Sequence, residues 1–174
     1  MLGEKRPSWK RHLITFIIAF AVVGLFALQS RSCRPQGRQA VRPEGARIVE
    51  IKIGRGFIQA EVADTDALRT KGLSGRQTLE PGYGMLFVFD EPQAVRFWMK
   101  DTLVPLSIAF IKEDGTIVQI EDMQPNDLRI VQSREPVKYA LEVRQGWFKE
   151  RGLGPGIKAE LPEKMPSPPA TTAK

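Results

Sequence analysis

Trp98 and Lys100 stand one residue apart in the run Phe97-Trp98-Met99-Lys100-Asp101-Thr102, which Pro105-Leu106 closes. An exposed indole beside a cation can stack on a sugar ring or another planar ligand, because the face of the aromatic ring carries negative charge density. Lys100 can hold an anion or, against an apolar wall, act as a base with a lowered pKa. Arg96 adds a second cation, Arg69 a third, and Asp101 with Thr102 a carboxylate and a hydroxyl. The candidate binding set is therefore Arg69, Arg96, Trp98, Lys100, Asp101 and Thr102. Each also has a purely structural reading. Trp98 can be covered by the polar stretch 122–136 as a small second core, and Lys100 can lie over apolar surface with its ammonium in water. Arg69 can pair with a sheet carboxylate such as Glu142, and Asp101 and Thr102 can make local turn bonds. The structural readings lead for Trp98, Lys100 and Arg69.

Much other chemistry is excluded by composition. His12 is the only histidine and Cys33 the only cysteine. Neither lies in residues 47–161, so a Cys-His or Ser-His-Asp relay cannot be assembled there from one chain. Zinc sites built from Cys and His are excluded on the same ground. Lys100, Asp101, Ser107 and Glu142 remain as raw material for a hydrolase using carboxylates or a Ser/Lys pair. Glycosidic chemistry needs two carboxyl groups roughly 5–10 Å apart, and the spacing here singles out no such pair. Non-catalytic binding of a small ligand, glycan or partner protein is therefore the leading expectation, with no cofactor and no metal.

The formal charge of +6 is unevenly placed. Residues 1–46 carry eight Lys and Arg against Glu4 and Glu44, whereas residues 47–161 carry 16 basic and 17 acidic side chains. A near-neutral folded region lacks the basic face that phosphate backbones require, which argues against nucleic acid. The basic start (Lys5, Arg6, Lys10, Arg11) precedes an uncharged apolar run from Leu13 to Leu28. Its length lies between a signal-peptide core and a span of roughly 20 residues. Residues 1–28 are expected to be a signal peptide or a membrane anchor, with lipidation of Cys33 a weaker third reading. Each version puts the folded region outside the cytoplasm, with the membrane as a partner through the N-terminal segment.

These candidates must be positioned by the elements that follow. Residues 29–46 have the composition of a flexible tether, 47–161 form a globular β-rich domain, and 162–174 are a Pro-rich, disordered tail. Arg47–Ile53 and Phe57–Val62 alternate polar and apolar around Gly54-Arg55-Gly56, which predicts a hairpin. Asp64 or Thr65 can cap a helix over Asp66–Lys71 that Gly72 ends. Met85–Phe89 and Leu106–Ile111 are continuous apolar runs, as in strands covered on both faces. Val95–Lys100 is expected as a strand, with Val95, Phe97 and Met99 on a core face and Arg96, Trp98 and Lys100 on the other. Glu113-Asp114-Gly115 predicts a turn into a strand over Thr116–Ile120. Residues 122–136 are expected as a long surface loop, Tyr139–Val143 and Ile157–Leu161 as strands, and Gln145–Arg151 as a short helix. The fold class that results is a β-dominated α+β domain, a single compact, partly closed barrel or sandwich of about seven or eight short strands with two short helices.

Several blocks resemble the family of domain of unknown function 192. They are Arg69-Thr70-Lys71-Gly72-Leu73, Gly84-Met85-Leu86-Phe87-Val88-Phe89, Phe97-Trp98-Met99-Lys100, Thr102 with Pro105-Leu106, and Leu141-Glu142-Val143 with Gly146. They occur in order from about Ile48 to Leu161. The resemblance implies a small β-rich module, often exported, with no established activity. The chain departs from the family pattern at Asp101, where Asn is usual, and at Ser107, where Asp is usual. Ser74 stands in place of Met, Gly156-Ile157 in place of Gly-Asp, and 123–131 lacks a Cys that many members carry. A mechanism resting on that Cys or that Asp would fail here.

Overall fold

The computed structural model describes residues 45–166, all within one compact unit. The expectations for residues 1–44, including the leader, the tether and Cys33, and those for residues 167–174 lie outside the described residues.

Nine strands form. They are β1 (Ile48–Ile53), β2 (Gly56–Ala63), β3 (Tyr83–Gln93), β4 (Arg96–Phe97), β5 (Leu106–Ile111), β6 (Ile117–Met123), β7 (Val131–Gln132), β8 (Val137–Arg144) and β9 (Ala159–Glu160). One helix, α1 (Asp66–Lys71), lies between β2 and β3. Seven strands make one sheet in the order β6-β5-β8-β3-β2-β1-β9, while β4 and β7 pair separately. Every neighbouring pair in the large sheet is antiparallel except β2 and β3, which run parallel. Parallel neighbours need a crossover rather than a tight turn, and residues 64–82 with α1 supply it.

The sheet curls until its two edges meet. Thr116 bridges Lys158, the Ile117 amide donates to the Ile157 carbonyl at 2.9 Å, and the Ala159 amide donates to the Gly115 carbonyl at 2.9 Å. The β-dominated, partly closed barrel expected from the sequence is thus what forms. One apolar cluster draws on all seven strands and fills the barrel: Val49, Ile51, Ile58, Leu86, Ile111, Ile117, Leu141 and Val143 belong to it, and Trp147 and Phe148 plug it. A second cluster covers the opposite face of β3, β5 and β8. Met85, Phe87, Leu106, Ile108, Phe110 and Ala140 supply its base, and Val95, Met99 and Val104 form its lid. Two-sided burial explains why β5 is apolar at nearly every position.

Some expected elements are corrected. The Val95–Lys100 strand shrinks to β4, two residues, because only Arg96 and Phe97 find partners, in Gln132 and Val131. Those partners make β7, so the expected 122–136 loop contains a strand. The helix expected over Gln145–Arg151 is a turn followed by a 3-10 segment, Lys149–Arg151, which Gly152 ends in left-handed geometry. The membrane is also corrected as a partner. No helix of the described residues is long and apolar enough to cross a membrane, and the run Leu13–Leu28 lies outside them.

Candidate functional site

The segment Ala94–Pro105 crosses the second cluster as a strap, and its apolar residues explain its course. Val95 and Met99 are buried. Phe97 meets Phe87 edge-on at 4.8 Å between ring centroids and Phe110 at 6.0 Å. Polar contacts fix the strap at both ends. The Val95 amide donates to Ser133 Oγ at 3.0 Å, and the Ser133 amide returns a bond to the Val95 carbonyl at 3.0 Å. Further on, the Met99 amide donates to the Asp127 carbonyl at 2.9 Å and the Asn126 amide to the Thr102 carbonyl at 3.0 Å. Asp101 turns the chain with φ 55°, and its carbonyl accepts from the Gly75 amide at 2.7 Å. Asn and Asp tolerate this left-handed conformation better than other side-chain-bearing residues. A backbone requirement is therefore enough to explain the carboxylate at a position where the resemblance implies Asn.

Helix α1 faces the strap. Thr65 caps it, Oγ1 accepting from the Leu68 amide at 3.3 Å, and Gly72 ends it. Arg69 fastens α1 to the sheet. Its guanidinium donates to the Asp64 carbonyl at 2.8 Å, the Val88 carbonyl at 2.7 Å and Asp66 Oδ1 at 2.7 Å, and it stands 5.6 Å from the Phe89 ring centroid. The sequence-based pairing of Arg69 with Glu142 is thereby corrected.

Between α1 and the strap lies a cleft of about 550 Å³. Arg69, Arg96, Trp98, Lys100, Asp101 and Thr102, drawn from two separate stretches of chain, all line it. Trp98 is 55% exposed rather than covered by the 122–136 stretch, and Lys100 Nζ stands 5.6 Å from its ring centroid. Arg96 Nε donates to Gln132 Oε1 at 3.3 Å. Thr102 is buried, and its hydroxyl donates to the Lys100 carbonyl at 3.4 Å. Lys71, Ser74 and Asp66 add to the rim, and Phe87 and Phe97 to the base.

Glu142 lines the same cleft and was absent from the candidate binding set. It sits mid-strand in β8, opposite Met85 of β3 and Ile108 of β5, and only 4% of it is exposed. Among the described residues its carboxyl has no hydrogen-bond or ion-pair partner. Burial disfavours the charged form and pushes Glu142 up to about 8. At neutral pH it is largely a neutral acid, able to donate one hydrogen bond and accept others. A signal was present in the sequence: Glu142 stands amid Ala140, Leu141 and Val143 in an expected strand, where a lone carboxylate is out of place.

Ser107 is on the other face of the sheet. Its hydroxyl donates to the Asp122 carboxylate and accepts from the Gly146 amide at 2.9 Å. Lys100, Asp101 and Glu142 share the cleft, whereas Ser107 does not, so Ser107 and Lys100 form no pair. Among the described residues no group of three or more His, Cys, Asp or Glu side chains is placed to hold a metal ion.

Comparison with known proteins adds kinship without a role. The model of the domain of unknown function 192 family, described as uncharacterised, matches residues 49–161. Similar solved structures include a protein of Sinorhizobium meliloti 1021, provisionally described as a transcription regulator. It is 37% identical over 67% of this chain and 95% of its own, with a TM-score of 0.65. A second, a protein of unknown function from Novosphingobium aromaticivorans DSM 12444, is 33% identical over 70% of this chain and 91% of its own, with a TM-score of 0.66. No functionally curated protein is significantly similar to the chain.

Proposed function

The chain belongs to the family of domain of unknown function 192, and from that premise we propose that it is a binding module that takes a small polar ligand in the cleft between α1 and the strap. One observation carries the reading: the buried, unpartnered Glu142 carboxyl opens on a cleft whose rim bears the exposed Trp98 ring. A ligand hydroxyl or amide seated on Glu142 would give its carboxyl the partner that the fold does not supply. Large exposed aromatics flanked by cations are also what planar ligands bind. The role suggested by the description of the Sinorhizobium protein has no support in the charge of this domain, where 16 basic face 17 acidic side chains. The proposal includes an extracytoplasmic location, supported by the basic start and the uncharged run Leu13–Leu28. Fractionation of the native host, with N-terminal sequencing of the protein recovered, tests that part.

Screening the full-length protein against a library of polar metabolites and saccharides by thermal shift tests the binding role. Hits that raise the melting temperature of the wild type and are lost in Trp98→Ala are expected. Hits that persist in Trp98→Ala would move the site elsewhere.

A hydrolase is the second reading, and the pairing of an acid held protonated with the exposed carboxylate of Asp101 on one cleft favours it. A carboxyl held protonated suits acid-assisted bond cleavage. Incubating each hit with the wild type separates the two: a binding module returns the compound unchanged, whereas a hydrolase consumes it and loses that turnover in Glu142→Gln.

A further inference from the structure

The side chains around the cleft specify what kind of polar ligand it would take. The Arg69 guanidinium is used up by Asp66 Oδ1 and the carbonyls of Asp64 and Val88. With that pair set aside, Lys71, Arg96 and Lys100 line the cleft against the single carboxylate of Asp101. Among the described residues none of these three cations has a carboxylate within salt-bridge distance, although many other cations of the domain do, as in Lys112–Glu135 and Arg144–Glu150. The rim thus holds unneutralised positive charge. The floor is different in kind. Glu142 is only 4% exposed, has no partner among the described residues, and is surrounded by Met85, Ile108 and the second cluster. Protonated, it offers one donor and acceptor lone pairs to a neutral group, whereas ionised it would repel an anion. To one side stands the Trp98 ring, 55% exposed, a flat apolar surface suited to the face of a sugar.

Resting on the small-ligand reading above, we propose that the cleft binds an anionic sugar: the ring face on Trp98, hydroxyls on Glu142, and the carboxylate or phosphate on Lys71, Arg96 and Lys100. Uronic acids and sugar phosphates share this chemistry. A cationic ligand is disfavoured by the same arrangement, because it would meet three cations before reaching Glu142.

Calorimetric titration of the full-length protein tests the assignment with glucuronate, glucose 6-phosphate, glucose, glucosamine and inorganic phosphate. Glucuronate or glucose 6-phosphate is expected to bind at least about tenfold more tightly than glucose or phosphate alone, as expected for charge-assisted hydrogen bonds to a shielded anion. Which of the two binds more tightly identifies the source of the charge. That affinity should fall with added salt and fall again as pH rises through 8, where Glu142 gives up its proton. Lys100→Gln should weaken the anionic sugars more than glucose, Trp98→Ala should weaken both, and Glu142→Gln should weaken both modestly at neutral pH while removing the further loss at high pH. Equal affinity for glucose, or a preference for glucosamine, would overturn the anionic assignment yet leave the small-ligand reading intact. Phosphate alone binding as tightly as the sugar phosphate would overturn the sugar. If no compound binds, and the wider metabolite screen also gives no hit sensitive to Trp98, the small-ligand reading falls with it.

Discussion

Glu142 costs the fold stability, and the cost depends on pH in a direction that can be stated. Its folded pKa, about 8, lies above its ordinary value of 4.5. Below 4.5 the carboxyl is protonated in both folded and unfolded chains and contributes no pH dependence. Between 4.5 and 8 the folded chain holds the proton that the unfolded chain releases, so stability falls as pH rises, and above 8 the penalty stays constant. Glu142→Gln, which keeps the shape and cannot ionise, is expected to match wild type at pH 4 and to be more stable at pH 9 by on the order of a few kcal/mol. Urea denaturation at the two pH values checks this. A constant difference across the range would mean that Glu142 titrates in the folded chain as it does in the unfolded one. Asp101 is a different case, where the backbone and not the charge sets the residue. Asp101→Asn should leave stability within about 0.5 kcal/mol, whereas Asp101→Val should cost at least about 1–2 kcal/mol for a left-handed β-branched residue.

At the scale of elements, the strap is the part that turns a barrel surface into a cleft, and Ser133 is its nail. Ser133 is 4% exposed and both donates to and accepts from Val95. Ser133→Ala leaves the Val95 amide without its acceptor in a buried place, so a loss of about 1–3 kcal/mol is expected. Amide exchange should rise along 95–104 while β1 and β2 stay protected, and uniform exchange across the domain would show that the strap has no local unfolding of its own. The elements also show what was legible in the sequence. Strict alternation gave β1 and β2, apolar runs gave β3 and β5, and Thr65 with Gly72 bracketed α1, because each of these is specified by neighbours along the chain. The strap was half legible. Alternation placed Val95, Phe97 and Met99 inward and Arg96, Trp98 and Lys100 outward correctly, although only two of those residues are strand. The convergence of Arg69 and Glu142 on the strap was not legible, since it follows from the parallel register of β2 with β3 and from β8 lying between β3 and β5. Nothing local to residues 137–144 says which strands will flank them.

On the scale of the whole molecule, a seven-stranded sheet in which two faces are both apolar needs its edges secured, because open edges expose unpaired backbone groups. The seam between β6 and β9 does this with few atoms. Gly115 has φ +84°, and a Cβ there would fall 2.5 Å from the Ala159 carbonyl oxygen, with no flexible side chain to give way. Backbone bonds from Ala159 to Gly115 and from Gly156 to Ile117, at 2.9 and 2.8 Å, knit the edges, and Lys158 adds an ion pair to Asp114 at 3.3 Å. Gly115→Ala must therefore both adopt an unfavourable φ and push β9 away, exposing Ile117 and Ala159 of the barrel filling. A loss of roughly 2–4 kcal/mol is expected, in the range of backbone strain added to lost packing. Gly154 is the control, since a Cβ at that position meets nothing within 4 Å and Gly154→Ala should be close to neutral. Comparing the two in thermal melts, with amide exchange read at β6 and β9, tests whether the barrel is held at this seam. If both variants melt together with wild type, the closure contributes little and the sheet is stable as an open one. If Gly115→Ala alone melts early, with exchange rising first at β6 and β9, the barrel opens from the seam while the cleft on the opposite face of β3, β5 and β8 is the last part to lose its floor.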